Sequence, residues 1–80
     1  MKITVNEYTN DFKVTLAELG TPDHILCNAG GAPPYVQNAV AIYADGTCVE
    51  YAVNTATLPW STFQTDFPSA VRLLSLVVTI

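Results

Sequence analysis

Hydrophobic and polar residues alternate most clearly in residues 38–53, NAVAIYADGTCVEYAV, and this pattern predicts a β-hairpin. Asp45-Gly46 separates the two runs and favours a two-residue type I′ turn, because both turn positions need positive φ. That turn sets the register by pairing Ile42 with Val49. The predicted core face carries Val40, Ile42, Val49, Tyr51 and Val53. The opposite face carries Ala41, Tyr43, Cys48 and Glu50.

The residues before the hairpin predict a strand followed by a helix. Residues 2–7 alternate and place two apolar side chains on one buried face, Ile3 and Val5. Thr9 or Asn10 can cap a helix that Gly20 closes, and three apolar residues fall on one face of it, Phe12, Leu16 and Leu19. Residues 11–19 also alternate well enough for a strand, so the two capping signals decide the prediction in favour of the helix.

Turn-forming residues divide the next stretch. Thr21-Pro22 resembles a helix cap with proline at the first helical position, and it predicts a short helical turn over residues 24–27. The prolines and glycines of residues 28–34, NAGGAPP, predict a loop that leads into the hairpin.

The C-terminal third predicts one short helix and one buried strand. After residues 54–58 leave the sheet, the segment from residue 58 begins the helix, with Trp60 and either Phe63 or Phe67 turned inward. Pro68 ends this helix because it excludes the preceding residue from the α region. Residues 71–80 are mostly apolar and predict a central strand near residues 76–78. A short helix from Pro68 that passes into a strand near residue 74 fits the same composition.

These elements together predict an α+β fold. We expect a small antiparallel sheet of about four strands, with one or two short helices on one face. The 80 residues are expected to form a single domain, 1–80, with a modest core.

Composition narrows the class of protein. Only 12% of the residues are charged and 50% are apolar, whereas an average domain has about 25% charged residues. This composition argues against disorder and leaves apolar surface for a partner or a second copy of the chain, so a homodimer is compatible with it. The N-terminus shows no signal peptide, and no segment reaches the roughly 20 apolar residues of a membrane span. We therefore expect a cytoplasmic protein that does not contact a membrane.

Candidate catalytic residues are sparse. His24 and Cys27 would share one face of the predicted helical turn, but nucleophilic catalysis also needs an orienting group and an oxyanion hole. One histidine and the two cysteines, Cys27 and Cys48, do not form a metal-ligand pattern, and a reducing cytosol favours two buried thiols over a disulfide. Residues 28–34 lack a phosphate-loop pattern. We expect no enzyme activity, no metal and no cofactor.

The charged residues predict a protein partner. Three Lys and Arg residues stand against seven Asp and Glu residues, which gives a formal charge of −4, and so few cations cannot form a nucleic-acid-binding stripe. Carboxylates on one surface can instead occupy the Arg and Lys sites of a protein that normally binds phosphates. The candidate partner-binding residues are Glu7, Asp11, Tyr43, Asp45 and Glu50. We expect at least three of these four carboxylates to lie on one connected surface.

In length, acidity and lack of a catalytic pattern, the chain is similar to small phage-encoded inhibitors, including anti-CRISPR proteins. That similarity implies a protein-binding inhibitor that occludes a basic nucleic-acid-binding surface of its partner, in part as a DNA mimic. A small structural or assembly protein, such as a virion component that self-associates, is the alternative function.

Overall fold

The computed structural model describes residues 1–52 and 57–73. A π-helical turn, Tyr8–Phe12, precedes the first α-helix. The strands and helices, in chain order, are β1 (Lys2–Val5), α1 (Lys13–Leu19), β2 (His24–Gly30), β3 (Tyr35–Ile42), β4 (Cys48–Ala52), α2 (Trp60–Asp66) and β5 (Val71–Leu73).

The strands form one mixed sheet in the order β1-β4-β3-β2-β5. Neighbouring strands from β2 to β4 are antiparallel, whereas β1 runs parallel to β4 and β5 runs parallel to β2. The predicted α+β fold is confirmed, but the described residues contribute five strands in a mixed sheet instead of four antiparallel ones. The difference arises because a helix follows both β1 and β4. A helical crossover returns the chain to the sheet parallel to the strand that it left, so β2 runs parallel to β1 and β5 runs parallel to β4.

The hairpin exists as predicted, but its turn is of another type. The Gly46 amide donates to the Tyr43 carbonyl (3.0 Å), and the Tyr43 amide donates to the Thr47 carbonyl (2.8 Å). Gly46 has a φ of 90°, whereas no residue other than glycine has positive φ among the described residues. The connection is therefore a three-residue loop that ends in a glycine bulge, and the predicted two-residue type I′ turn is wrong.

This extra loop residue shifts the register by one position. Ala41 pairs with Val49, and Ile42 pairs with Cys48. A shift of one residue moves side chains to the other face of the strand, so the prediction is right for β4 and wrong for β3. The residues on the core face are Ala39, Ala41, Tyr43, Val49 and Tyr51. The residues on the second face are Val40, Ile42, Cys48 and Glu50.

The helix predicted after the first strand is confirmed over Lys13–Leu19, and the alternative strand is wrong. The first strand ends at Val5, two residues earlier than expected. No side chain caps the π-helical turn, which the Phe12 amide closes on the Glu7 carbonyl (2.9 Å), so the expected cap at Thr9 or Asn10 is absent. Gly20 ends α1 with a φ of 94°. Phe12 and Leu16 are buried, but Leu19 remains 43% exposed.

Residues 24–27 form part of β2, and the predicted helical turn there is wrong. Every second side chain of this strand points into the core, namely those of Ile25, Cys27 and Ala29. β2 pairs with β3 on one side and with β5 on the other. Hydrogen bonds to two neighbouring strands outweigh the local capping signal of Thr21-Pro22. The expected loop is confined to the four residues from 31 to 34.

The helix predicted in the C-terminal third is confirmed as α2. Phe63 is fully buried, and Trp60 and Phe67 pack against the core. Phe67 has left the helical region (φ −131°, ψ 80°), as expected for a residue that precedes a proline. β5 begins at Val71, so no helix extends from Pro68. The predictions for residues 53–58 lie partly outside the described residues. The predicted strand at residues 76–78 lies wholly outside them.

Aromatic rings fill the space between the two helices and the sheet. The Phe12 ring centroid lies 5.7–6.1 Å from the ring centroids of four residues, Tyr8, Tyr51, Phe63 and Phe67. Beneath these rings the sheet presents three buried alanines, Ala29, Ala39 and Ala41. Large side chains from the helices and small ones from the strands are complementary in volume, as close packing requires.

Candidate functional site

The loop between β3 and β4 holds Asp45 in a defined position. Its Oδ1 accepts a hydrogen bond from the Thr47 amide (2.9 Å), which closes a local turn at the end of the hairpin. Hydrogen bonds from Thr47 hold the pKa of Asp45 below its usual range, and the ammonium group of Met1 makes a smaller contribution in the same direction. Asp45 is therefore a preorganised, exposed and ionised carboxylate at neutral pH.

Tyr43 connects this loop to the end of α1. Its hydroxyl donates a hydrogen bond to the Gly20 carbonyl (2.8 Å), and its ring packs against the core. Burial raises the pKa of Tyr43, so the phenol stays protonated and remains a donor. The contact between Tyr43 and Gly20 holds the hairpin loop beside the segment that joins α1 to β2.

A cleft of about 280 Å³ lies between these two segments and is called the acidic cleft below. It is lined by Leu19, Thr21, Asp23, Tyr43, Ala44, Asp45 and Thr47. Two carboxylates, two hydroxyl groups and a phenol thus surround a small recess, and its lining within the described residues includes no lysine or arginine. Such a recess can accept a guanidinium or ammonium group by charge-assisted hydrogen bonds.

The three Lys and Arg side chains make other contacts. Lys2 pairs with Glu50 (3.7 Å), and Lys13 pairs with Asp66 (3.3 Å). The Arg72 Nε donates to the Ala29 carbonyl (2.6 Å). No salt bridge within residues 1–52 and 57–73 involves either carboxylate of the acidic cleft. The Met1 ammonium offsets part of the Asp45 charge, whereas the lysines and the arginine do not, so the cleft keeps a net negative potential.

The predicted site residues do not lie on one surface. Asp45 and Tyr43 line the acidic cleft. Asp45 precedes the start of β4, whereas Glu7 and Asp11 follow the end of β1, and these strands are parallel and paired along their length. The acidic residues at positions 7 and 11 therefore lie toward the opposite end of the sheet. Glu50 is on the second face, paired with Lys2. The expectation of three carboxylates from this set on one surface is wrong.

Asp23 is the cleft carboxylate that the sequence did not assign to binding. It directly precedes β2, where its amide donates to the Ile42 carbonyl (2.8 Å) and so fixes it beside the last residue of β3. The sequence predicted that this position follows a helix cap at Thr21 and leads into a helical turn. A strand starting at His24 would have placed Asp23 next to the hairpin loop, but the capping signal of Thr21-Pro22 concealed that strand.

A second cleft, called the apolar cleft below, adjoins the acidic cleft at Thr21, which lines both. Its volume is about 520 Å³. Its apolar lining consists of Leu16, Ala17, Pro22, Ile25, Phe67 and Pro68, and its polar lining comes from Lys13, Gly20, Thr21, Asp66 and Ser69. Its size falls within the range of about 300–1,000 Å³ that is typical of ligand pockets.

Two residues that line the apolar cleft, Lys13 and Asp66, form a polar cluster with Tyr8. The Tyr8 hydroxyl donates to Asp66 Oδ2 (2.7 Å), and the same oxygen lies 3.3 Å from Lys13 Nζ. Lys13 Nζ also lies 5.8 Å from the Tyr8 ring centroid. Burial, together with the Asp66 carboxylate, raises the pKa of Tyr8, whereas the Tyr8 hydrogen bond lowers the pKa of Asp66. The cluster thus joins the two helical segments, and its phenol is not activated as a base.

The histidine and the thiols are not arranged for catalysis. His24 and Cys27 are three positions apart on β2, so their side chains point to opposite faces of the sheet. Cys27 and Cys48 are both free and buried, which confirms the prediction of two thiols. No group of three or more potential metal ligands occurs in the part of the chain that the structure describes. Within that part, no helix has the length and apolar character needed to cross a membrane.

We expect Cys27 to make the fold sensitive to alkaline pH. Burial raises the pKa of Cys27 to about 12 from an ordinary value of 9.0. Because the folded state keeps this proton longer than the unfolded state, the contribution to stability is complete below pH 9 and is lost as pH rises toward 12. Between about pH 9 and pH 10, the free energy of unfolding should fall less steeply in Cys27→Ala than in the parent, by up to about 1.4 kcal/mol per pH unit. Chemical denaturation across this range measures both slopes, and equal slopes would contradict the assignment.

Comparison of the chain with protein-family models, with curated proteins and with solved structures finds no match in any of the three. The acidic cleft and the apolar cleft are therefore interpreted from their own geometry and charge.

Proposed function

We propose that the protein is a small protein-binding inhibitor whose acidic cleft captures a basic side chain of a partner protein. The observation that carries this proposal is the position of Asp23 and Asp45 in one cleft, while the three Lys and Arg side chains make other contacts. An arginine is the best-matched side chain, because its planar guanidinium donates to two carboxylates at once and stacks on aromatic rings such as Tyr43.

A partner that presents such a side chain on its nucleic-acid-binding surface would be occluded. Arginine and lysine on such a surface normally contact phosphates, and the carboxylates at positions 23 and 45 would take the place of those phosphates. This mode of action agrees with the one implied by the similarity to phage-encoded anti-CRISPR inhibitors, with DNA mimicry limited to the cleft. The proposed compartment is the cytoplasm.

Removal of the two cleft charges is expected to weaken binding to a basic probe. The probe is a short acetylated peptide with one arginine among glycines and serines. The double variant Asp23→Asn, Asp45→Asn keeps the size of both side chains, and the asparagine at position 45 can still accept the Thr47 hydrogen bond. We expect its affinity to fall about threefold to tenfold, because the variant loses two exposed ion pairs of about 0.3–0.7 kcal/mol each, within the usual range of about 0.2–1 kcal/mol. Calorimetric or NMR titration at low salt measures this difference.

The matched control removes two charges at the other end of the sheet. Glu7→Gln, Asp11→Asn changes the net charge by the same amount but leaves the acidic cleft intact. Its affinity for the arginine peptide should stay within about twofold of the parent, whereas equal losses in the two double variants would show that only net charge matters. Binding by the parent should also weaken as salt rises and the Debye length shrinks toward about 8 Å.

Self-association distinguishes this proposal from a structural role. A protein-binding inhibitor is expected to be a monomer or a closed dimer. Size-exclusion chromatography with light scattering at several protein concentrations reports the mass directly. Growth into large, polydisperse assemblies would favour the alternative function of a small assembly protein.

A further inference from the structure

We propose that the apolar cleft is a second subsite for the same partner and receives a bulky apolar side chain next to the basic one. This inference rests on the proposed function, because it takes the acidic cleft as the site of the basic side chain. The occupant is an extended peptide segment of the partner that carries an arginine or lysine and, two residues later, a large apolar residue.

The two clefts adjoin at Thr21. Thr21 lines both of them, and Gly20 and Pro22 on either side of it line the apolar cleft. Side chains two residues apart in an extended peptide lie on the same side, about 6.5–7 Å from each other. One extended segment crossing Thr21 can therefore place one side chain in each cleft.

The exposure of Leu19 also points to an apolar occupant. This residue continues the apolar row of Phe12 and Leu16 on α1, yet it is 43% exposed and lines the acidic cleft. The core of the described residues does not use it. An exposed leucine beside two carboxylates suits a partner segment that is basic and apolar together, whereas a purely polar segment would leave it in water.

The charges of the two clefts differ. The lysine of the apolar cleft, Lys13, is paired with Asp66, so the two charges there offset each other, while the carboxylates of the acidic cleft form no salt bridge among the described residues. The acidic cleft therefore attracts a cation. The apolar cleft is instead lined by Leu16, Ile25 and Phe67, and covering these side chains with an apolar side chain of the partner removes apolar surface from water and so stabilises the complex.

Three acetylated peptides of equal length test this subsite by calorimetric or NMR titration. The first peptide carries arginine and, two residues later, phenylalanine; the second has serine in place of the phenylalanine; the third has serine in place of the arginine. We expect the first to bind about tenfold more tightly than the second, as partial burial of a phenylalanine side chain allows. The third should bind more weakly than the first.

One substitution in the apolar cleft provides the matched protein test. Ala17 is exposed on α1 and lines the apolar cleft, so Ala17→Gln fills it with a polar side chain without touching the core. Val14→Gln is the control, because Val14 is exposed on the same helix and lines neither cleft. Ala17→Gln should abolish the higher affinity of the peptide with phenylalanine and leave the affinity of the arginine-only peptide unchanged. Val14→Gln should change the affinity of neither peptide.

The outcomes separate this inference from the proposed function. If the arginine-only peptide binds through Asp23 and Asp45 but phenylalanine adds nothing, the apolar subsite is wrong and the acidic cleft stands. If the gain from phenylalanine survives Ala17→Gln, the apolar side chain binds elsewhere and the inference is overturned. If no peptide binds, both the subsite and the proposed function are wrong.

Discussion

Phe12→Ala is expected to remove most of the stability of the fold. The side chain is fully buried, and its ring contacts those of Tyr8, Tyr51, Phe63 and Phe67, so it joins both helical segments to the sheet. Truncating such a phenylalanine costs about 3–5 kcal/mol, including the cavity that it leaves. A domain of this size has a total stability of about 5 kcal/mol, so the variant should be largely unfolded near room temperature.

Thermal unfolding followed by circular dichroism measures this loss. Val14→Ala is the matched control, since it shortens an exposed side chain on the same helix and should change the midpoint by only a few degrees. Phe12→Leu keeps most of the volume and should fold with an intermediate midpoint. A Phe12→Ala midpoint equal to that of Val14→Ala would show that the aromatic cluster does not hold the helices to the sheet.

Gly46→Val is expected to cost about 1–3 kcal/mol, the second-largest effect. Gly46 has a φ of 90°, a conformation that a β-branched residue adopts only with strain. Apart from Gly46 itself and its two chain neighbours, no described residue has an atom within 4 Å of the position that a Cβ would take, so the cost is that of the backbone alone. This substitution also disturbs the loop that positions Asp45, so it should weaken binding of the arginine peptide.

Gly30→Val is the control that separates the strain of a positive φ from the general effect of replacing a glycine by valine. Gly30 also has free space where a Cβ would lie, but it is part of β2 without a positive φ, and valine is favoured in strands. Chemical denaturation should therefore place Gly30→Val close to the parent and Gly46→Val well below it. Equal stabilities of these two variants would contradict the glycine bulge in the β3–β4 loop.

Local signals predicted the elements that depend on neighbouring residues. The hairpin around Asp45-Gly46, the helix closed by Gly20 and the helix stopped by Pro68 were all recognisable, because turn, cap and proline effects act within a few residues. The register of the hairpin was not, because an Asp-Gly pair serves both two-residue and three-residue loops. The choice between them depends on which face of β3 the helices cover.

The face of β3 that the helices cover is not the one with the larger apolar side chains, which is the usual expectation. In the hairpin part of β3, residues 38–42, the larger apolar residues Val40 and Ile42 lie on the second face, while Ala39 and Ala41 face the helices. Alanines suit this position because Phe12 and Phe63 fill the space above them. A sequence shows the size of each side chain but not which rings from distant segments will lie over it.

The candidate site was predictable only in part for the same reason. Tyr43 and Asp45 were recognised because they belong to the hairpin. Asp23, which also lines the cleft, was not among the candidates, because its place depends on a strand that local signals concealed. Glu7 and Asp11 were expected at the same end of the sheet as the hairpin loop, but they lie toward the opposite end because β1 is parallel to β4. A strand at the sheet edge can pair in either direction, and the direction depends on contacts between distant segments.

Chemical-shift mapping of the ¹⁵N-labelled protein with the arginine peptide tests the central claim most directly. At low salt, we expect the largest backbone amide shifts in the residues lining the acidic cleft, above all Asp23, Asp45 and Thr47. These shifts should disappear in Asp23→Asn, Asp45→Asn and persist in Glu7→Gln, Asp11→Asn. Largest shifts near Glu7 and Asp11, or a pattern that the cleft substitutions leave unchanged, would contradict the assignment of the acidic cleft as the site that captures a basic side chain.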